Sequence, residues 1–567
     1  MDEVGAAADA VNSLSTRFWD GLLDVSPVTA TLLGYEQGMD RLDDPGPAGR
    51  EKARALYLDT LAAADAIEAD LASAAGSEAS LPTEDRITLD ILRVVCRVEL
   101  EQQSQRFDQL KVVDQMDGPQ TILPLLAAFA PTETPAQFEA FLARLADYPR
   151  YMAANAEIVR EGLAGGATAA SIVTERVISQ LNRLLAIPDE SSPVAATVKA
   201  PSAGDRDRLV AALTKYVRPA DRAFLDAISG PYRAASRQEP GLWSAPHGED
   251  LYRTQIRAWT SLDLDPGELH RIGVEELAAI EAERRAISRE LDLGDDTRAA
   301  RAALQARPGA RPASEEELLD HARGQIARAM AAAPAYFGAL PKSGCEVRAV
   351  EEFKAADSPA AYYYPPTVDG SRPGIYYVNT HDLPSRSYVG LASTSFHEAV
   401  PGHHFQIALQ TEHPSLSVFR RLGARMAGMA YVEGWGLYSE RLADEMGLYL
   451  NVGERFGMLD GQAWRAARLI VDTGIHAFHW TREKAVAQLL EAGLSETDAT
   501  IETDRYICLP AQALTYKVGQ REIERLRSEA AARFGATFDV RAFHDAVLGH
   551  GTLPLATLAK ELPGWLG

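Results

Sequence analysis

Phe396-His397-Glu398-Ala399-Val400-Pro401-Gly402-His403-His404-Phe405-Gln406 places three of the chain's twelve histidines within eight residues and sets a Pro-Gly pair between them. His397 followed by Glu398 resembles the start of a His-Glu-x-x-His pattern, in which two imidazoles on one helix face take a zinc ion and the Glu activates a water. Where the second imidazole belongs stands Pro401. An unbroken helix rises about 1.5 Å and turns about 100° per residue, so His403 would sit about 9 Å along the axis from His397 and about 120° around it. That is too far for one ion. Proline removes a backbone donor and clashes with the preceding turn, while glycine tolerates dihedrals that other residues avoid. The stretch therefore reads as two helices joined by a break. With Pro401-Gly402 looped out the spacing returns to His-Glu-x-x-His, His403 becomes the second ligand and His404 the alternative. The plainer alternative is a Pro-Gly turn whose histidines cap, pack or face solvent.

Around this stretch the chain has 567 residues, enough for one large core or two to four smaller ones. Acids outnumber bases 80 to 57, a formal charge of −23 that disfavours nucleic acid and anionic membrane as partners. The opening Met1-Asp2-Glu3-Val4-Gly5 carries acids where a signal peptide carries bases, and no apolar run approaches a membrane span. A soluble cytoplasmic protein is expected. Cys96, Cys345 and Cys508 are too few and too scattered for a disulfide framework or a thiolate zinc site, so a metal would need His and carboxylate.

Residues 1–250 read as an N-terminal helical region. Apolar residues recur at helical spacing, Asp44-Pro45-Gly46-Pro47 marks a loop, Pro131 to Pro135 leads into a helix, and Pro188 to Gly204 is a polar connection. Residues 251–567 read as a catalytic region, although the two could intertwine as one domain. Asp265-Pro266-Gly267-Glu268 has the order of an N-cap, a first helical proline and a capping-box partner, so a long helix should follow. From about 345 to 380 the texture changes. Val347–Val350, Ala361–Tyr364 and Gly374–Asn379 are short, aromatic or β-branched and bounded by Gly, Pro and Asp, which predicts a small sheet ahead of the metal helix. An edge strand there could hold a peptide by backbone pairing, with Tyr377 and Asn379 as contacts. A purely structural sheet with a tyrosine-lined face fits the same residues.

A zinc site needs a third protein ligand and a donor for the developing oxyanion. Glu433 and Glu440, seven residues apart in a helical context, share about one helix face. Glu433 is the expected third ligand and Glu440 the carboxylate that orients an imidazole. Asp472 and His476 stand at i, i+4, so the acid could hold the ring, leaving His476 to donate to substrate. Tyr516 and Tyr506 are the phenols that could serve an oxyanion, and Arg505 is a further substrate-binding candidate. A buried Asp-His pair and core tyrosines are the plainer readings.

Taken together, His397 to Gln406, Glu433 to Glu440, Arg465 to His476, Arg505 to Gly519 and the closing stretch Phe543 to Leu555 resemble the signatures of the bacterial domain of unknown function 885 family. Ala511 stands where that family commonly has Gly. The family is more distantly similar to the mainly helical zinc peptidases with a Glu third ligand, such as oligopeptidases and the angiotensin-converting-enzyme group. That resemblance implies a mainly α, gluzincin-like fold, a large helical shell around a deep cleft with a small β-sheet beside the metal helix. It also implies hydrolysis of short peptides or related amides with one Zn²⁺ held by His397, His403 and Glu433 and with Glu398 as base. It sets no oligomeric state. A metal-binding or interaction protein that keeps the scaffold without hydrolysis is the alternative. A carboxylate-bridged di-iron centre is weaker, since its paired Glu-x-x-His motifs are missing.

Overall fold

The computed structural model describes residues 3–75, 80–355 and 359–567. The fold is mainly α, with one three-stranded sheet among the described residues. No described helix is long and apolar enough to cross a membrane. Two compact units partition the chain: the first takes Met1–Thr254, Ile475–Glu483 and Thr500–Pro510, the second Gln255–Gly474, Lys484–Ala499 and Ala511–Gly567. A division at residue 250 thus misses two C-terminal segments that rejoin the first unit, because helical periodicity marks elements but not their tertiary partners.

In the first unit the longest helix, Pro135–Gly165, begins as its sequence predicts. Thr134 and Gln137 form a reciprocal capping box, Pro135 takes the first helical position, and Gly166 ends the helix in the left-handed region at φ 71°. In the second unit Asp265 caps Pro266–Glu290 by accepting from the Gly267 and Glu268 amides, but the Glu268 carboxylate turns to Arg271 (2.9 Å) rather than closing a capping box.

The sheet and five helices of the second unit carry the candidate site. Strands β1 (Cys345–Ala349), β2 (Ala361–Tyr364) and β3 (Gly374–Val378) assemble in the order β1-β3-β2, with β1 parallel and β2 antiparallel to β3. Side chains alternate between the two faces. Tyr377, Tyr362 and Tyr364 pack together on one face, Tyr377 stacked on Tyr362 with ring centres 5.0 Å apart and edge to face with Tyr364 at 5.5 Å. On the other face Tyr376 is buried with its hydroxyl 3.2 Å from Ser395 of helix α1 (Tyr388–Glu398). After four intervening residues α2 (His403–Glu412) begins. Further on come α3 (Met429–Glu445), α4 (Val452–His476) and α5 (Thr515–Phe534). Helices α3 and α5 meet backbone to backbone where Gly434 faces Gly519, which brings Tyr516 and Lys517 of α5 toward the carboxylates of α3.

Candidate metal centre

His397 is the penultimate residue of α1 and His403 opens α2, so the break between the helices decides whether the two rings meet. Gly402 has no room for a side chain, because a Cβ there would collide with the His397 carbonyl oxygen. The Val400–Pro401 bond is cis. Backbone groups loosened by the break find partners: Trp435 Nε1 and Ser439 Oγ of α3 both donate to the Pro401 carbonyl, at 2.9 and 3.3 Å, and the Phe405 amide donates to Ala399 O at 3.2 Å. The two imidazoles come edge to face with ring centres 4.7 Å apart.

Glu433 reaches them from α3. Its Oε2 lies 3.6 Å from Nε2 of His397 and 3.6 Å from Nε2 of His403, and one donor atom from each residue falls within 4.8 Å of the others. At 3.6 Å these are not hydrogen bonds. They are close to the edge of about 3.4 Å between N and O donors on a tetrahedral zinc with bonds of about 2.0–2.1 Å, so the donor set fits that ion. Burial pushes the Glu433 carboxyl up, but the two imidazoles beside it bring it well below the usual carboxylate range. Burial likewise pushes the His397 imidazole down, and Glu433 with Glu440 lifts it to about 10. The cluster is built for positive charge, and a cation bound among these atoms would displace the His397 proton.

Glu440, two turns along α3 from Glu433, accepts from His397 Nδ1 at 2.9 Å and so aims Nε2 of that ring at the cluster. The chain of contacts continues inward. Lys517 has donors only and gives one to Gln462 Oε1 at 3.0 Å, which turns the Gln462 amide nitrogen toward Glu440 Oε2 at 3.2 Å. Gln520 donates to the same Gln462 oxygen at 3.0 Å. Each orientation fixes the next, ending at the His397 tautomer. Gln462→Leu is expected to lower zinc affinity about 10- to 100-fold. Competition with a chelator checks this, and unchanged affinity would reduce the chain to core packing.

Glu398, beside His397, has no hydrogen bond to a described residue fixing its carboxylate. Burial and Glu433 push it up while His403 and His397 pull it down, and the net shift is upward. Tyr516 lies with its ring stacked toward His397, centres 6.2 Å apart and 26° between planes.

Several expected site residues are used elsewhere. His404 is not a ligand: Tyr363 donates to its Nδ1 at 2.9 Å, its Nε2 donates to Ser343 O at 3.1 Å, and burial lowers its pKa to about 4. Its neighbour takes the cluster because adjacent helical residues point about 100° apart. Tyr377 and Asn379 do not flank a free edge, since β3 is the central strand. Asn379 instead donates to Ala355 O at 2.7 Å and Pro359 O at 3.2 Å. His476 is not held by Asp472. Its Nδ1 accepts from the Leu242 amide at 3.1 Å and its Nε2 donates to Tyr506 O at 2.9 Å, all within the first unit, which leaves no ring donor for substrate. Asp472 accepts twice from the Ala511 amide, at 3.1 Å each, and anchors Ala511 at φ 67°. That left-handed backbone is the physical reason a glycine suits the position. Tyr506 is buried in the first unit, as a core tyrosine, and Arg505 there faces Glu502 at 3.4 Å.

Gly436, Gln462 and Lys517 escaped the sequence reading. A glycine inside a helix costs about 1 kcal/mol against alanine, which is a signal of close approach that Gly436 does carry. Lys517 has no comparable local mark.

A family model described as "Bacterial protein of unknown function (DUF885)" matches residues 27–562. No curated protein matches the chain. Among solved structures, a protein of Colwellia psychrerythraea provisionally named a lipoprotein is 27% identical, with a TM-score of 0.88 over 99% of each chain. A protein of unknown function from Shewanella oneidensis, also provisionally named a lipoprotein, shares the fold, with 19% identity and a TM-score of 0.73 over 96% of this chain and 98% of its own.

Proposed function

The chain belongs to this bacterial family of unknown function, DUF885, and we propose that it is a zinc-dependent hydrolase of amide bonds in short peptides or peptide-like small molecules. The observation that carries the reading is the Glu433 oxygen 3.6 Å from each of two imidazole nitrogens, a spacing that suits a shared ion and not a hydrogen bond. Zinc there would supply Lewis acidity toward a carbonyl and a readily ionised water. Glu398 takes the proton from the attacking water and passes it to the leaving amine, and its raised pKa suits both transfers. Tyr516, beside His397, donates to the carbonyl oxygen as it gains charge. The similarity of the motifs to helical zinc peptidases with a Glu third ligand supports the same reading. Cytoplasmic residence stays a proposal, and the lipoprotein designation of the Colwellia relative speaks for the opposite, which fractionation of cells making this chain decides.

Elemental analysis of the purified chain combined with digestion of a mixed peptide library tests the proposal. One zinc per chain is expected, with cleavage that chelation abolishes and zinc restores. Stoichiometric zinc without cleavage of any amide would make this a metal-binding protein on a hydrolase-like scaffold. Absence of a bound metal after zinc is supplied would end both readings.

A further inference from the structure

Beside the cluster the second unit holds a cavity of about 230 Å³, lined by Thr394 of α1, Glu440 of α3 and Asp460, Trp464 and Arg465 of α4. Thr394 stands one turn before Glu398 on the same helix, so the cavity abuts the proposed base. Its acids are already engaged. Asp460 pairs with Arg284 and Arg301, at 2.9 and 2.6 Å to their Nε atoms, and Glu440 serves His397. Exposed Asp498 at the rim accepts from Ser495 at 2.7 Å.

Arg465 is different. Its guanidinium lies over the Trp464 ring at 4.3 Å and near the Tyr516 ring at 5.7 Å, its one hydrogen bond among the described residues is a long 3.4 Å contact to Gly461 O, and its Nε is buried without a partner. No carboxylate of a described residue forms an ion pair with it. Glu440 and Arg465 line the same cavity, and while burial pushes the carboxyls of Glu398 and Glu440 up, the Arg465 charge is among those that pull them down. A guanidinium keeps its charge at any working pH and presents a planar fork of donors matched to a carboxylate. The guanidinium lies over Trp464, and Arg465 lines the cavity.

We propose that Arg465 is an anion subsite that selects substrates carrying a free carboxylate close to the bond to be cleaved. The selectivity rests on the hydrolase reading, whereas the binding does not. Tyr516 bridges the distance, 5.7 Å from Arg465 on one side and 6.2 Å from the His397 ring on the other, so at about 3.5 Å per extended residue the carboxylate sits within about three residues of the reacting carbonyl. The substrates are then acyl amino acids or short peptides whose terminal or side-chain acid faces α4.

The test uses N-acetylglycyl dipeptides varied at the last residue, each as the free acid and as the carboxamide. Their binding is measured by calorimetry on the zinc-loaded Glu398→Gln chain, and turnover on the chain with Glu398 intact. The best acid is expected to bind about 30-fold more tightly than its carboxamide, the size of a charge-assisted bidentate contact. Arg465→Gln should reduce that preference to about 3-fold or less, and Arg465→Lys should restore part of it. If Arg465→Gln does not fold, a smaller preference in Arg465→Lys than in the parent supports the subsite in its place, and an unchanged one overturns it. Acids that bind no better than their carboxamides, or a preference that survives Arg465→Gln, would overturn the subsite and leave Arg465 as a counter-charge for Glu398 and Glu440. Arg465-dependent binding of an acid by a chain that hydrolyses none of the probes would keep the subsite and remove the hydrolase reading.

Discussion

Glu398→Gln is expected to keep zinc bound at full stoichiometry and to lose about 10³-fold or more in kcat on any amide the chain cleaves. The substitution preserves shape and removes only the ability to take a proton. It also removes a carboxyl that burial disfavours, so the variant should unfold at the same temperature as the parent or above it, and lost turnover cannot be put down to lost structure. His397, His403 and Glu433 keep their geometry, because Glu398 makes no hydrogen bond to any of them. Steady-state kinetics with metal analysis on the same preparation checks both halves. Turnover within a few-fold of the parent would remove Glu398 as the base, and loss of zinc would mean that it is part of the metal's support.

How far such a site can be read from sequence depends on whether the chemistry is local. Pro401-Gly402 announces its own break, since the missing donor and the permissive backbone belong to those two residues, and the structure has the break there. Glu433 and Glu440 are seven apart and fall on one face of α3 by helix geometry alone. The choice between His403 and His404 is different in kind, because it depends on where the axis of α2 points after the break. Tyr377 and Asn379 depended on strand order: nothing in Gly374 to Val378 shows that β1 joins on one side and β2 on the other. Asp472 and His476 satisfy an i, i+4 rule, yet each is claimed by a more distant backbone, Ala511 for one and Leu242 with Tyr506 for the other. The mainly helical fold was legible because periodicity is local. Lys517 and Gln462 were not, because their roles arise only from the pairing of α4 and α5 against α3.

Gly436→Ala is expected to cost about 100-fold or more in zinc affinity without touching a ligand. Gly436 lies on α3 between Glu433 and Glu440, and a Cβ built on it would stand 2.8 Å from both Cε1 and Nε2 of His397 and 3.0 Å from Cε1 of His403. Contacts that short do not persist, so one ring or both must move. His397 cannot move freely, being held at Nδ1 by Glu440, which Gln462 holds in turn under the hold of Lys517, while the His403 backbone is set by the first turn of α2 and its ring Nδ1 has no hydrogen-bond partner among the described residues. Zinc tolerates only about 0.2 Å in its bond lengths, so a ring displaced by several tenths of an ångström leaves the coordination shell. Helix propensity acts in the opposite direction, since alanine is favoured over glycine by about 1 kcal/mol inside a helix, and that gain offsets part of the strain in the metal-free chain. The expected pattern is therefore a metal-free protein with a melting temperature near the parent's and a zinc affinity far below it, read by chelator competition and thermal denaturation together. A Gly436→Ala chain that binds zinc as tightly as the parent would count against a joint hold by these two imidazoles, since with the rings in their present places the added methyl stands 2.8 Å from Nε2 of His397.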